Sequence, residues 1–191
     1  MTDAAPLNET AGTETPLAPS FPQAMDIAAQ WIGLWEAGEL SDEVLADRVG
    51  ELVASRDGAR GFFVVSLTGE APLLDRLPEA LVAALRQAGE GVVDLTARNL
   101  AMSTAMTLHH QRAGDLEHQA GSERVQRRST ELLRHLEPMA VKQRLETLLA
   151  AAKEQGGDQE ELVEDRAFLD RWGYDAEQRQ TIAMAIDAVA D

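Results

Sequence analysis

From Gln23 onward the apolar residues recur at the three-and-four spacing of helices. Met25, Ile27, Ala28, Trp31, Ile32 and Trp35 share one broad face, and Gly38 ends that stretch. Ser41 then supplies the side chain of an N-cap. Asp42 and Glu43 follow in the first turn, where the helix dipole favours acids, and Val44, Leu45, Val49 and Leu52 carry the apolar face to an end near Ser55. Residues Pro78 to Ala88 read as a helix with proline in its first turn and Gly89 beyond its end. Val92, Leu95, Asn99, Met102, Met106, His109 and Ala113 predict the seam of a long central helix, with Asn99 as a polar residue able to fix register. Gly114 and Gly121 bracket a polar connection, after which Ser122 caps a helix bearing Val125, Leu132, Leu133 and Leu136. Pro138 opens another with Val141, Leu145, Leu148 and Leu149, ended by Gly156 and Gly157. Leu162, Val163, Phe168, Leu169 and Trp172 line a further helix. Asp175 with Gln178 forms a capping box for the last, which carries Ile182, Ala185, Ile186 and Val189.

The stretch from Gly61 to Gly69, rich in aromatic and β-branched residues, suits either a short buried strand or a helix. A lone strand would leave its backbone groups unpaired, and no comparable second run exists, so helix is the expectation. Residues 1–22 hold four of the seven prolines and almost no large apolar side chain, which predicts a disordered tail. The fold class that follows is all-α: a bundle of about seven to eight helices formed by a single domain over residues 23–191.

Composition narrows the function. With 191 residues, 45% of them hydrophobic and 26% charged, the chain can bury a core without staples. A net charge of -16 argues against nucleic acid and anionic membranes as partners. The lack of cysteine excludes disulfides, thiolate metal sites and cysteine nucleophiles. Neither a membrane span nor a signal peptide is readable, which leaves the cytoplasm as the expected location.

The charge is uneven. Residues 98–144 carry 8 bases against 5 acids and contain all 4 histidines, whereas both flanks are strongly acidic. Arg124, Arg127, Arg128 and Arg134 lie on one predicted helix behind a start at Gly121–Ser122. With His135, and with Asn99 and His109 from the facing helix, Arg124, Arg127 and Arg128 form a candidate site for a small anion or nucleotide. The competing reading, in which these arginines pair with Glu123, Glu131 and the acidic remainder, is favoured by the negative surroundings. His109, His110, Asp115, Glu117 and His118 lack the spacing of known metal sites, so no metal and no cofactor are expected. The acidic run from Glu160 to Glu164 resembles the first half of the magnesium-binding signature of all-helical nucleotide pyrophosphohydrolases, but the second half is missing. Trp31 and Trp35, four apart, read first as core residues, with a subunit interface as the other reading.

The block from Ser55 to Thr68, the block from Gly121 to Leu133 and the arginine-rich, lysine-poor style resemble an uncharacterised protein family of cyanobacteria. The resemblance implies no activity and no site residue. The expected function is therefore a non-enzymatic interaction or regulatory protein that acts through helix surfaces on a protein partner, with a homodimer as its favoured state. An anion-binding protein using the arginine helix, possibly an enzyme, is the alternative.

Overall fold

The computed structural model describes residues 18–190. It contains α1 (Phe21–Glu36), α2 (Asp42–Val53), α3 (Arg56–Thr68), α4 (Leu73–Arg76), α5 (Glu79–Ala88), α6 (Glu90–Ala113), α7 (Leu116–His135), α8 (Pro138–Ala152), α9 (Glu160–Arg171) and α10 (Ala176–Asp187). No strand occurs among the described residues. The fold is all-α, with ten helices among the described residues where the spacing predicts seven to eight. One of the additions is the single turn α4, entered at Pro72 and closed by Leu77 in the left-handed region at φ 45°. Its leucines, Leu73 and Leu74, are buried. The first helix begins at Phe21, two residues before the predicted start, because Ser20 caps it and Pro22 fits its first turn. Residues 1–17 of the predicted tail lie outside the described residues.

The ambiguous stretch is helical. Phe62, Phe63, Ser66 and Leu67 are buried at helical spacing, and the two phenylalanine rings meet edge to face at 5.3 Å between centroids. What makes a helix possible there is glycine. A Cβ on Gly61 would stand 2.5 Å from the Cβ of Ala24 and 2.8 Å from its backbone carbon, so α3 lies against α1 with only the Ala24 methyl group between them. Gly58 is equally constrained, since a Cβ would fall 1.9 Å from the carbonyl oxygen of Leu52.

Helix α6 contacts α3, α5, α7, α8 and α10 and so joins the earlier helices to the later ones. Its buried face differs from the predicted seam. Val92, Val93, Thr96, Ala97, Leu100, Ala101, Thr104 and Ala105 are buried, Asn99 is half-buried, and His109 and Ala113 are exposed. The prediction followed the larger side chains. Packing follows the small ones instead, since Ala97, Ala101 and Ala105 at intervals of four let neighbouring helices approach closely. Asn99 donates to the carbonyl of Leu95 at 2.8 Å within its own helix, so it fixes no register between helices.

The predicted polar connection from Gly114 to Gly121 shrinks to a single turn. Gly114 takes a left-handed φ of 70°, and Asp115 caps α7 by accepting the His118 amide at 3.2 Å. Gly121 and Ser122 are inside the helix. The cost of one interior glycine, about 1 kcal/mol, is tolerated because the C-terminal half of α7 is anchored in the core through Leu132 and Leu133. The free N–H groups expected at Gly121–Ser122 therefore belong to helical hydrogen bonds. Ser41 and Asp175 cap their helices as the pattern predicts.

Candidate functional site

The four arginines of α7 separate to different partners. Arg128 is 2% exposed. Its Nη2 donates to Asp75 Oδ2 at 2.6 Å and its Nε to the same carboxylate at 3.2 Å. The remaining N–H groups donate to the carbonyls of Ser66, Leu67, Gly69 and Ala71 at 2.8–3.1 Å. Arg127 reaches Asp75 at 3.2 Å, and Arg124 reaches Glu70 at 2.6 Å. Arg134 donates to Glu131 at 2.7 Å and to the carbonyls of Ala188 and Val189 at 2.8 and 3.2 Å. Hydrogen bonds from Arg128 above all, and from Arg127, hold the Asp75 carboxyl below the usual range despite partial burial. His135 Nδ1 lies 2.8 Å from the Glu131 carbonyl. On α6, Asn99 is occupied with Leu95, and exposed His109 packs against His110 at 5.3 Å. These residues do not converge on one cleft: Arg124, Arg127 and Arg128 clasp the corner between α3 and α4, and Arg134 clasps the end of α10.

The two tryptophans differ in their burial. Trp35 is a core residue, 9% exposed, whose indole N–H donates to Asp42 at 2.6 Å. Trp31 is half-buried beneath Arg48, whose guanidinium lies 5.7 Å from the ring centroid. The face they share is spent inside the subunit. Among the described residues no cluster of three or more His, Asp or Glu side chains is arranged to hold a metal ion. No helix there is long and apolar enough to cross a membrane.

Two surfaces stand out that the spacing did not reveal. The first is a cleft of about 760 Å³ between the start of α3, the first half of α6 and the end of α9. Arg56, Arg60, Arg98 and Arg171 line it with Asp94 and Glu164, and with Val53, Ala59, Val92, Leu95 and Phe168. Arg98 is held in place: its Nε donates to Asp94 at 3.1 Å and its guanidinium lies 5.2 Å from the centroid of the Phe168 ring. Behind it, Asp165 is 1% exposed and receives two hydrogen bonds from Arg144, at 2.6 and 2.7 Å. Arg144 also donates to Asp94 at 2.7 Å. Burial alone would lower the Arg144 pKa, but hydrogen bonding and charge from Asp165 and Asp94 outweigh it and raise the value. A smaller cavity of about 270 Å³, lined by Gln143, Arg144, Thr147 and Glu161, shares Asp94, Arg98, Glu164 and no other residue with the first cleft.

The second surface is an apolar groove of about 460 Å³ formed by the end of α7, by α8 and by the end of α10. Leu133, Val141, Leu145, Leu149, Ile186 and Val189 line it, with Arg134, Lys142, Glu146 and Asp187 among the polar residues at its walls. Lys142 and Glu146 stand one turn apart at 3.9 Å, and Lys153 at the end of α8 faces Asp187 at 3.6 Å.

Residues 20–189 match a family model described as uncharacterised conserved protein UCP020893. No curated protein and no solved structure matches the chain.

Proposed function

The chain belongs to the uncharacterised conserved protein family UCP020893, and from that premise we propose that it works as a non-enzymatic interaction protein, docking a second copy of itself in the groove between α7, α8 and α10. The observation that carries this reading is an apolar groove with balanced charges at its walls, on a chain whose net charge is -16. Copies of so acidic a protein repel one another, so contact favours a place where the local charge is near zero and apolar surface can be buried. Both lysines of the chain, Lys142 and Lys153, are on or at the end of α8.

A two-fold interface must be self-complementary. Two copies of α8 laid antiparallel across such an axis set Lys142 of one against Glu146 of the other, over the apolar row of Val141, Leu145 and Leu149. The reading places the protein in the cytoplasm and its source among cyanobacteria, both as expectations from the sequence.

Light scattering over a range of concentrations tests it. The proposal expects a dimer that persists at high salt, weakening in Lys142→Glu and recovering in the charge-swapped double variant Lys142→Glu/Glu146→Lys. A monomer at every concentration, or a dimer indifferent to Lys142→Glu, overturns it.

A further inference from the structure

We infer that the cleft between α3, α6 and α9 is a binding site for a small organic phosphate carrying at least two negative charges. The charge at this place runs against the molecule as a whole. Four guanidinium groups line the cleft with Asp94 and Glu164, and Asp57 and Asp165 pair with Arg60 and Arg98 beside it, so the charge here is balanced in a chain with 33 acidic residues against 17 basic ones. Two of the four are already committed, Arg98 to Asp94 at 3.1 Å and Arg60 to Asp57 at 3.1 Å. Arg56 and Arg171 are exposed, and neither meets a carboxylate or a hydrogen-bond acceptor among the described residues. Both line the cleft, Arg56 from the first residue of α3 and Arg171 from the last residue of α9.

The chemistry of the walls selects the ligand. A guanidinium offers paired N–H donors at the spacing of two phosphate oxygens, and two such groups lining one cleft suit a dianion better than a single carboxylate. The start of α3 adds the positive end of a helix dipole on the same side as Arg56. Arg98, held by Asp94, Glu164, Asp165 and the Phe168 ring, fixes the shape of the lining but has its charge already met, which leaves Arg56 and Arg171 as the cations for a ligand. Apolar side chains share the lining with the cations, and a volume of about 760 Å³ accommodates an organic group as well as its phosphates. A nucleic-acid strand is disfavoured because the acidic surface beyond the cleft repels an extended polyanion. The site is independent of the α8 groove, so a failure of the dimer leaves it standing.

Calorimetric titration at low salt, with inorganic pyrophosphate, ADP and citrate as probes, tests the inference. ADP and pyrophosphate should both bind, ADP more tightly because its nucleoside covers the apolar side chains. The double variant Arg56→Gln/Arg171→Gln should lose about tenfold or more in affinity, in line with the loss of charge-assisted hydrogen bonds. Arg124→Gln, on the far arginine cluster, should bind as the wild type does. Both substituted positions in the double variant are exposed, and circular dichroism checks that its fold is intact. Absence of binding by either phosphate, affinity unchanged in the double variant, loss in Arg124→Gln instead, or binding of citrate alone would each overturn the assignment.

Discussion

Arg128 and Asp75 meet across the corner between α3 and α4 through two guanidinium nitrogens, while the rest of that guanidinium caps four main-chain carbonyls. One side chain from α7 thus satisfies both the end of α3 and the carboxylate of α4. Replacing it by methionine keeps much of the volume but leaves Asp75 with only Arg127 and strips the carbonyls of their donor. Arg128→Met should destabilise the protein by about 3–5 kcal/mol, measured by urea unfolding.

The same pair makes stability depend on acid. Asp75 has a folded pKa below its ordinary value, chiefly through the Arg128 hydrogen bonds. A depressed carboxylate contributes stability above its unfolded pKa of about 3.9 and loses it as pH falls through the folded value. Asp75→Asn should therefore be less stable than the wild type near neutrality, and the gap should narrow as the pH is lowered below that of the unfolded carboxylate. Unfolding curves at a series of pH values check this.

Two glycines of the same type should respond in opposite directions. At Gly61 a methyl group collides with the backbone of Ala24 and Met25, which cannot move aside without parting α1 from α3. Gly61→Ala should cost about 1–3 kcal/mol or more. At Gly33, in α1, a methyl group meets nothing within 4 Å. Gly33→Ala should stabilise by about 0.5–1 kcal/mol, and thermal unfolding of the two variants gives the sign of each.

Arg144 and Asp165 form a buried ion pair linking α8 to α9, and a double-mutant cycle should expose its character. Arg144→Met leaves the buried Asp165 carboxylate with only Arg98, at 3.8 Å, and should cost about 3–5 kcal/mol, whereas Asp165→Leu leaves Arg144 paired with Asp94 and should cost less. The double variant should recover much of that loss, since two apolar side chains leave the interior without an unpaired ion. Losses that simply add would refute the coupling.

His118 offers a spectroscopic check on the start of α7. Its ring bonds to Asp115 at 2.8 Å, and this bond, with the charge of Asp115, raises its pKa above the ordinary imidazole value. A raised histidine contributes stability that is present below its unfolded pKa and lost as pH rises through the folded one. In proton NMR the His118 ring should titrate above about 6.5, and Asp115→Asn should move its midpoint downward.

Local chemistry was legible where it acts locally. Ser41, Asp175 with Gln178, and Pro138 mark helix starts through groups within a few residues, and the structure places starts there. Gly121 misled because a glycine that looks like a break is tolerated once Asp115 supplies the cap. The helix α6 was evident, but its buried face was not, because spacing weights large side chains whereas Ala97, Ala101 and Ala105 set the packing. Arg128 is indistinguishable from Arg127 in the sequence. What separates a buried capping residue from an exposed one is Asp75, 53 residues away. The cleft was invisible for the same reason, since Arg56, Arg98 and Arg171 come from three distant segments that only the fold brings together.

The grip of Arg134 on the carbonyls of Ala188 and Val189 has a practical side. Val189 and Ala190 also line the apolar groove, so a change at Arg134 alters the shape of the groove's wall as well as its charge. A variant at that arginine would report a monomer for reasons of its own. Self-association should be tested through Lys142 and Glu146, which leave the grip in place.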